Sequence, residues 1–146
     1  NPYLTYIDTE HKIFAGKTDP QSPVFDLLIY ACRDVQNAVI PANIKYISSY
    51  AFKDCKNLQT LQFAAYSSIN TLGDECFKNC ESLLHVSLPA GLQKYGEFIF
   101  AECESLQTFD FLDREIYIDM GFFSCCRNLN IINCPNAEKI IYRNPM

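Results

Sequence analysis

Four short stretches of the chain place apolar and polar residues in alternation: Thr60-Leu61-Gln62-Phe63, His85-Val86-Ser87-Leu88, Thr108-Phe109-Asp110-Phe111 and Ile131-Ile132-Asn133-Cys134. Period-two alternation predicts a strand with one buried face, and four copies in one phase strengthen it. Each stretch follows the same phrase, Phe-x-x-Cys-x-x-Leu. Its copies are Phe52/Cys55/Leu58, Phe77/Cys80/Leu83, Phe100/Cys103/Leu106 and Phe123/Cys126/Leu129. The steps between equivalent cysteines are 25, 23 and 23 residues, a solenoid period. Five residues before each Phe comes Ile47, Leu72, Tyr95 or Ile118. Three residues earlier again come Ile44, Ile69 and Leu92, with Glu115 breaking the fourth copy beside Ile116. Pro41, Pro89 and Pro135 flank the alternating runs, where a strand must end.

A unit of this length cannot bury its own apolar face and so must stack on its neighbours. Equivalent strands then pair in a parallel ladder about 4.8 Å apart. Leu58, Leu61 and Phe63 point inward with their counterparts, while Thr60 and Gln62 point out. Phe52 and Cys55 fall on the short turn or helical return that closes the coil, the ring filling its centre and the small thiol its crowded inside.

The run Ile40-Pro-Ala-Asn-Ile44-Lys-Tyr-Ile47-Ser-Ser-Tyr-Ala51-Phe52-Lys-Asp-Cys55-Lys-Asn-Leu58 resembles the BspA-like leucine-rich repeat, a form abundant in surface proteins of mucosal protists and some oral and gut bacteria. The resemblance covers residues 39–134 as four repeats, with a weaker echo at Leu27-Leu28-Ile29-Tyr30-Ala31-Cys32. It implies a mostly β, right-handed leucine-rich solenoid with one parallel strand per coil. It also implies a surface-antigen type of role in adhesion or protein recognition at a cell surface. The fourth repeat departs from the pattern, with Phe122-Phe123 in place of Ala-Phe and a doubled Cys125-Cys126.

Residues 1–38 lack the Phe-Cys-Leu phrase and read as an N-terminal cap. Tyr3–Ile7 and Lys12–Ala15 suit strands, Gly16 to Pro23 suits a loop, and strand character resumes at Leu27 to Tyr30. Such a cap would cover the exposed core and strand edge of a first coil. Residues 135–146 hold a last strand at Lys139-Ile140-Ile141-Tyr142 and a tail.

Composition narrows the partners. The 146 residues are 49% hydrophobic and 20% charged, which excludes a disordered or low-complexity chain. Twelve basic against seventeen acidic residues, a net charge of −5 and no basic cluster argue against a nucleic-acid partner. The longest apolar stretch, Val24 to Cys32, is broken by Asp26 and falls short of the roughly 20 residues needed to span a bilayer, so no direct membrane insertion is expected. The first residues, Asn1-Pro2-Tyr3-Leu4, show neither an initiator Met nor a signal-peptide pattern and leave the compartment open.

Candidate chemistry is sparse. The histidines are His11 and His85. Cys80 and His85 are near enough in sequence for a thiol–imidazole pair, but the repeat turns the first inward and the second outward. Cys76-x₃-Cys80 supplies half of a zinc site and Cys125-Cys126 does not supply the rest. With no phosphate-binding glycine motif, no cofactor is expected and no enzyme is read here. Cys55, Cys80, Cys103 and Cys126 share one repeat position, where stacked side chains point the same way and favour free thiols. Cys125 with Cys134, or Cys32 with Cys76, remain possible pairs.

What is left is a surface. The outward columns Thr60, His85, Thr108, Ile131 and Gln62, Ser87, Asp110, Asn133 form the expected recognition face for a protein partner, on the concave side of the sheet. The plainer alternative is a row of solvated strand residues. Free thiols suit a second role, an intracellular scaffold docking onto a larger cytoplasmic or cytoskeletal assembly.

Overall fold

The computed structural model describes residues 4–8 and 12–143. His11, Tyr3 and the tail at 144–146 lie outside the described residues. The chain begins with β1 (Leu4–Asp8) and β2 (Ile13–Gly16). The strands that follow are β3 (Leu27–Ala31), β4 (Asn37–Ile40), β5 (Tyr46–Ile47), β6 (Thr60–Phe63), β7 (Thr71–Leu72) and β8 (His85–Leu88). The series continues with β9 (Lys94–Tyr95), β10 (Thr108–Phe111), β11 (Glu115–Asp119), β12 (Ile131–Asn133) and β13 (Lys139–Arg143). Four-residue and two-residue strands alternate from β4 to β10. As the periodicity predicts, the protein is a mostly β, parallel-sheet solenoid. Its returns are turns, with no helix among the described residues.

Each coil contributes to two parallel ladders. The alternating runs form the strand face, β4 beside β6 and β8 beside β10 beside β12. The register matches repeat positions, with Asn37 opposite Thr60, His85 opposite Thr108 and Thr108 opposite Ile131. On the opposite side β3, β5, β7 and β9 pair in parallel, followed by β11 with β13. The apolar residues Ile47 and Leu72, five positions before each Phe, belong to this second ladder. β2 pairs antiparallel with β3, so the hairpin covers the outer edge of the first parallel strand.

Between the ladders lies a dry core. Phe52 and Phe77 stack with ring centroids 5.0 Å apart, and Phe77 and Phe100 stack at 5.0 Å and nearly parallel planes. Cys55, Cys80 and Cys103 are fully buried beside them. In the last repeat the buried ring next to Phe100 is Phe122, 5.6 Å away, while Phe123 is only partly buried. The residue before each Phe grows from Ala51 through Cys76 and Ile99 to Phe122, and the last is large enough to take the coil centre itself.

The turns that follow the second ladder use left-handed backbone at fixed positions. Tyr50, Glu75 and Phe98 occupy one such position, and Asp54, Asn79, Glu102 and Cys125 the other, all with φ between 52° and 66°. None of these is glycine, so each turn carries local strain.

The strand face has a gap. Gln59, Gln107 and Asn130 each donate a backbone hydrogen bond to the preceding coil just before their strands begin. Among the described residues Leu84 makes no such bond, and no ladder joins β6 to β8. At the other end Ala64 and Leu112 donate back to Ile40 and Leu88, but the equivalent residue is Pro89, which has no N–H. Between Phe63 and Ile69 the chain also runs two residues longer than between Leu88 and Leu92. This is where the 25-residue step arises.

Candidate functional site

In-register parallel strands hold equivalent side chains about 4.8 Å apart, close enough for polar residues to bond along a column. On the strand face they do. The Ser87 hydroxyl donates to Asp110 Oδ2 at 2.6 Å, and the Asn133 carboxamide donates to Asp110 Oδ1 at 2.7 Å. His85 Nε2 lies 3.3 Å from Asp110 Oδ2, and its Nδ1 bonds the Thr108 hydroxyl. The Ser87 hydroxyl, then Asn133, and the nearby imidazole hold the Asp110 carboxyl below its ordinary value of 3.8, against the opposing effect of its burial.

Five of the eight expected face residues (His85, Ser87, Thr108, Asp110 and Asn133) therefore form one hydrogen-bonded row. Thr60 joins a different pair, donating to Asn37 Oδ1 at 2.6 Å. Gln62 stands exposed across the gap from Ser87. Ile131 ends the row, half exposed, and so is Ile132, whose equivalents Leu61, Val86 and Phe109 are buried.

Ser87, His85 and Asp110 meet without forming a proton relay. The serine hydrogen is directed at the carboxylate, and the imidazole is 3.4 Å from the hydroxyl. A nucleophilic serine needs the imidazole as its acceptor. Cys80 is buried and its thiol donates to the Phe52 carbonyl at 3.3 Å, on the side of the strand away from His85. Cys76 is buried as a small core residue, and burial pushes its thiol well above 9.0. All eight cysteines are free, so neither Cys125 with Cys134 nor Cys32 with Cys76 is joined.

The gap between β6 and β8 opens into a cleft of about 520 Å³. Gln62, His85 and Ser87 line it together with Tyr66, which the polar columns did not include. Tyr66 sits on the two-residue insertion at φ 58°, with 98% of its surface exposed. The signal for it was the odd 25-residue step.

A two-ladder solenoid with a strand of this phrase in each coil defines a leucine-rich repeat protein. The chain belongs to the family described as BspA type leucine rich repeat region, which it matches in six copies over residues 27–145. Among solved structures it is similar to a leucine rich cell surface protein of Faecalibacterium prausnitzii A2-165, with TM-score 0.67 and 21% identity, covering 88% of this chain and 39% of that one. It is also similar to a leucine-rich repeat protein of Eubacterium ventriosum, with TM-score 0.67, 18% identity and coverages of 92% and 41%. The leucine rich repeat protein of T. pallidum gives TM-score 0.60 and 17% identity over 96% of this chain and 82% of that one. At these identities the likeness is one of fold. The chain spans about two fifths of the length of the first two. No curated protein matches it in sequence.

Proposed function

We propose that the chain is a non-enzymatic recognition or adhesion module of a cell surface, binding a protein partner through its polar strand face. The observation that carries this reading is the row His85, Ser87, Thr108, Asp110 and Asn133, in which every member is fixed by a neighbouring coil. Side chains already locked in place lose little freedom when a partner docks. The row offers one carboxylate and several hydroxyl and amide groups, which suits a polar partner surface. Support for the location comes from the family and from the cell-surface relative in Faecalibacterium prausnitzii.

Beads coated with the chain should adhere to cultured mucosal epithelium above an albumin-coated control. A His85→Glu, Asp110→Lys double variant of unchanged thermal stability should lose that adhesion. Equal adhesion by the double variant would reject the face. A second reading, a scaffold inside the cell, is favoured by eight free cysteines, which an oxidising compartment would tend to pair. Surface labelling of intact cells decides between the two.

A further inference from the structure

The cleft between β6 and β8 has features that a general protein-binding face does not require. Along the strand face, among the described residues, the ladder is interrupted only between β6 and β8, at Pro89 and the two extra residues. The insertion holds a bulky aromatic residue in left-handed backbone, a conformation such residues seldom adopt. It also holds that ring almost wholly in solvent, where burial gives no reason for it. The volume of about 520 Å³ falls within the range of small-ligand sites, about 300–1,000 Å³.

The lining decides the ligand class. No Lys, Arg, Asp or Glu lines the cleft, and the His85 imidazole has both nitrogens engaged, Nδ1 with the Thr108 hydroxyl and Nε2 3.3 Å from Asp110 Oδ2. The lining therefore offers no spare cation for a phosphate or carboxylate and no carboxylate for an ammonium group. Its polar groups both donate and accept, as a hydroxyl does. The Gln62 carboxamide bonds no other described residue. Ser67 Oγ accepts the Ile69 N–H and keeps its own hydrogen to donate. Ser87 donates to Asp110 and keeps lone pairs to accept. An inserted peptide strand does not fit, because β6 and β8 approach within 8 Å between Cα atoms whereas a strand between them needs about 9.6 Å.

We propose that this cleft binds an uncharged glycan, one or two sugar rings deep. The Tyr66 ring stacks on the apolar C–H face of a sugar, while Gln62, Ser67 and Ser87 bond its hydroxyls. The site goes beyond the protein-recognition reading, and Tyr66 stands outside the Asp110 row, so Tyr66→Ala tests the cleft while leaving that row in place.

The test is saturation-transfer NMR on the full chain with lactose, N-acetyllactosamine, cellobiose, maltotriose and mannobiose, alongside sialylated and sulfated lactose. At least one neutral sugar should bind. Tyr66→Ala should weaken it about tenfold or more, and Gln62→Ala by a smaller factor. Tyr66→Gly, which relieves the left-handed backbone, guards against loss through misfolding and should fail to bind in the same way while unfolding no earlier than the parent. Three outcomes overturn the proposal: no neutral sugar bound, binding confined to the charged sugars, or binding unchanged in both Tyr66 variants.

Discussion

The thiol of Cys103 donates a hydrogen bond to the carbonyl oxygen of Phe77, one coil back, across 3.3 Å. Cys80 does the same to Phe52 at 3.3 Å and Cys126 to Phe100 at 3.1 Å. The repeated cysteine is therefore a donor as well as a small core residue. The carbonyls of Phe77 and Phe100 receive no backbone N–H among the described residues, so a methyl group would leave them bare, whereas Phe52 also accepts from the Cys55 N–H. Cys103→Ala should cost about 1–3 kcal/mol, from a lost bond and a buried unpaired carbonyl. Cys103→Ser keeps a donor and should unfold at higher urea than Cys103→Ala. The opposite order would mean that the thiol only fills space.

Burial raises the thiols of Cys55 and Cys76 above 9.0 and the Tyr95 phenol up to about 12. In the unfolded chain these groups lose protons at lower pH than in the folded one. Stability is then complete below about pH 9 and falls as the pH rises beyond it, since the folded state holds more protons. Urea midpoints should drop between neutral pH and about pH 10.5, and drop less in Cys76→Ala. At neutral pH, pulse alkylation read by mass spectrometry should mark the exposed Cys125 before the buried Cys55, Cys76 and Cys103.

Phe77 lies between Phe52 and Phe100 in a continuous stack, 5.0 Å from each. Phe77→Ala removes the middle ring of a dry core and should cost about 3–5 kcal/mol in denaturant unfolding. Phe77→Leu, which keeps most of the volume, should cost less. Equal losses for the two would locate the effect in something other than the cavity.

The repeat phase told more about the core than about the surface. The Phe-x-x-Cys-x-x-Leu phrase placed the buried rings of the first three repeats, the thiol column and the outward polar columns, because each coil meets the same neighbours and so needs the same residue sizes. In the fourth repeat the buried ring is Phe122, one residue before the phrase's Phe123. It did not foresee the second ladder, since two residues such as Thr71-Leu72 are too few to show a period. It did not foresee Arg33, whose guanidinium donates to the carbonyls of Ala31 and Ala51 at 3.0 Å and packs over Tyr30. That residue acts once, at the start of the stack, where repetition carries no information. Of the surface, the columns were legible but their grouping was not. Thr60 turning to Asn37 while His85 turns to Thr108 follows from the break at Pro89, and Tyr66 was announced only by a step two residues too long.

Glu102 is exposed and sits at φ 60° in its turn, as Asp54, Asn79 and Cys125 do in theirs. A left-handed backbone costs an L residue about 1–2 kcal/mol, while glycine adopts it freely at an entropic cost of about 0.5–1 kcal/mol. Glu102→Gly should therefore stabilise the protein by up to about 1 kcal/mol. Glu102→Ile, branched at Cβ, should destabilise it. Thermal unfolding of the pair reads both signs, and a glycine variant that melts earlier than the isoleucine one would contradict the strain.

Asp110 ties the strand face to acid. Its carboxyl is held below 3.8, chiefly by the Ser87 hydroxyl and then by Asn133. A carboxylate with a depressed folded value stabilises the fold at pH above its unfolded value, and that contribution is lost as pH falls through the folded one. Ser87→Ala removes the largest of the lowering interactions, so Asp110 should titrate nearer 3.8 and acid unfolding should begin at higher pH. Asn133→Ala should move both in the same direction by less. Carboxyl carbon shifts followed by NMR during an acid titration measure the first, and far-ultraviolet dichroism the second. If Asp110 titrates at the same pH in the Ser87→Ala protein, the hydroxyl does not hold the carboxylate, and the row is not the preorganised surface that recognition through this face requires.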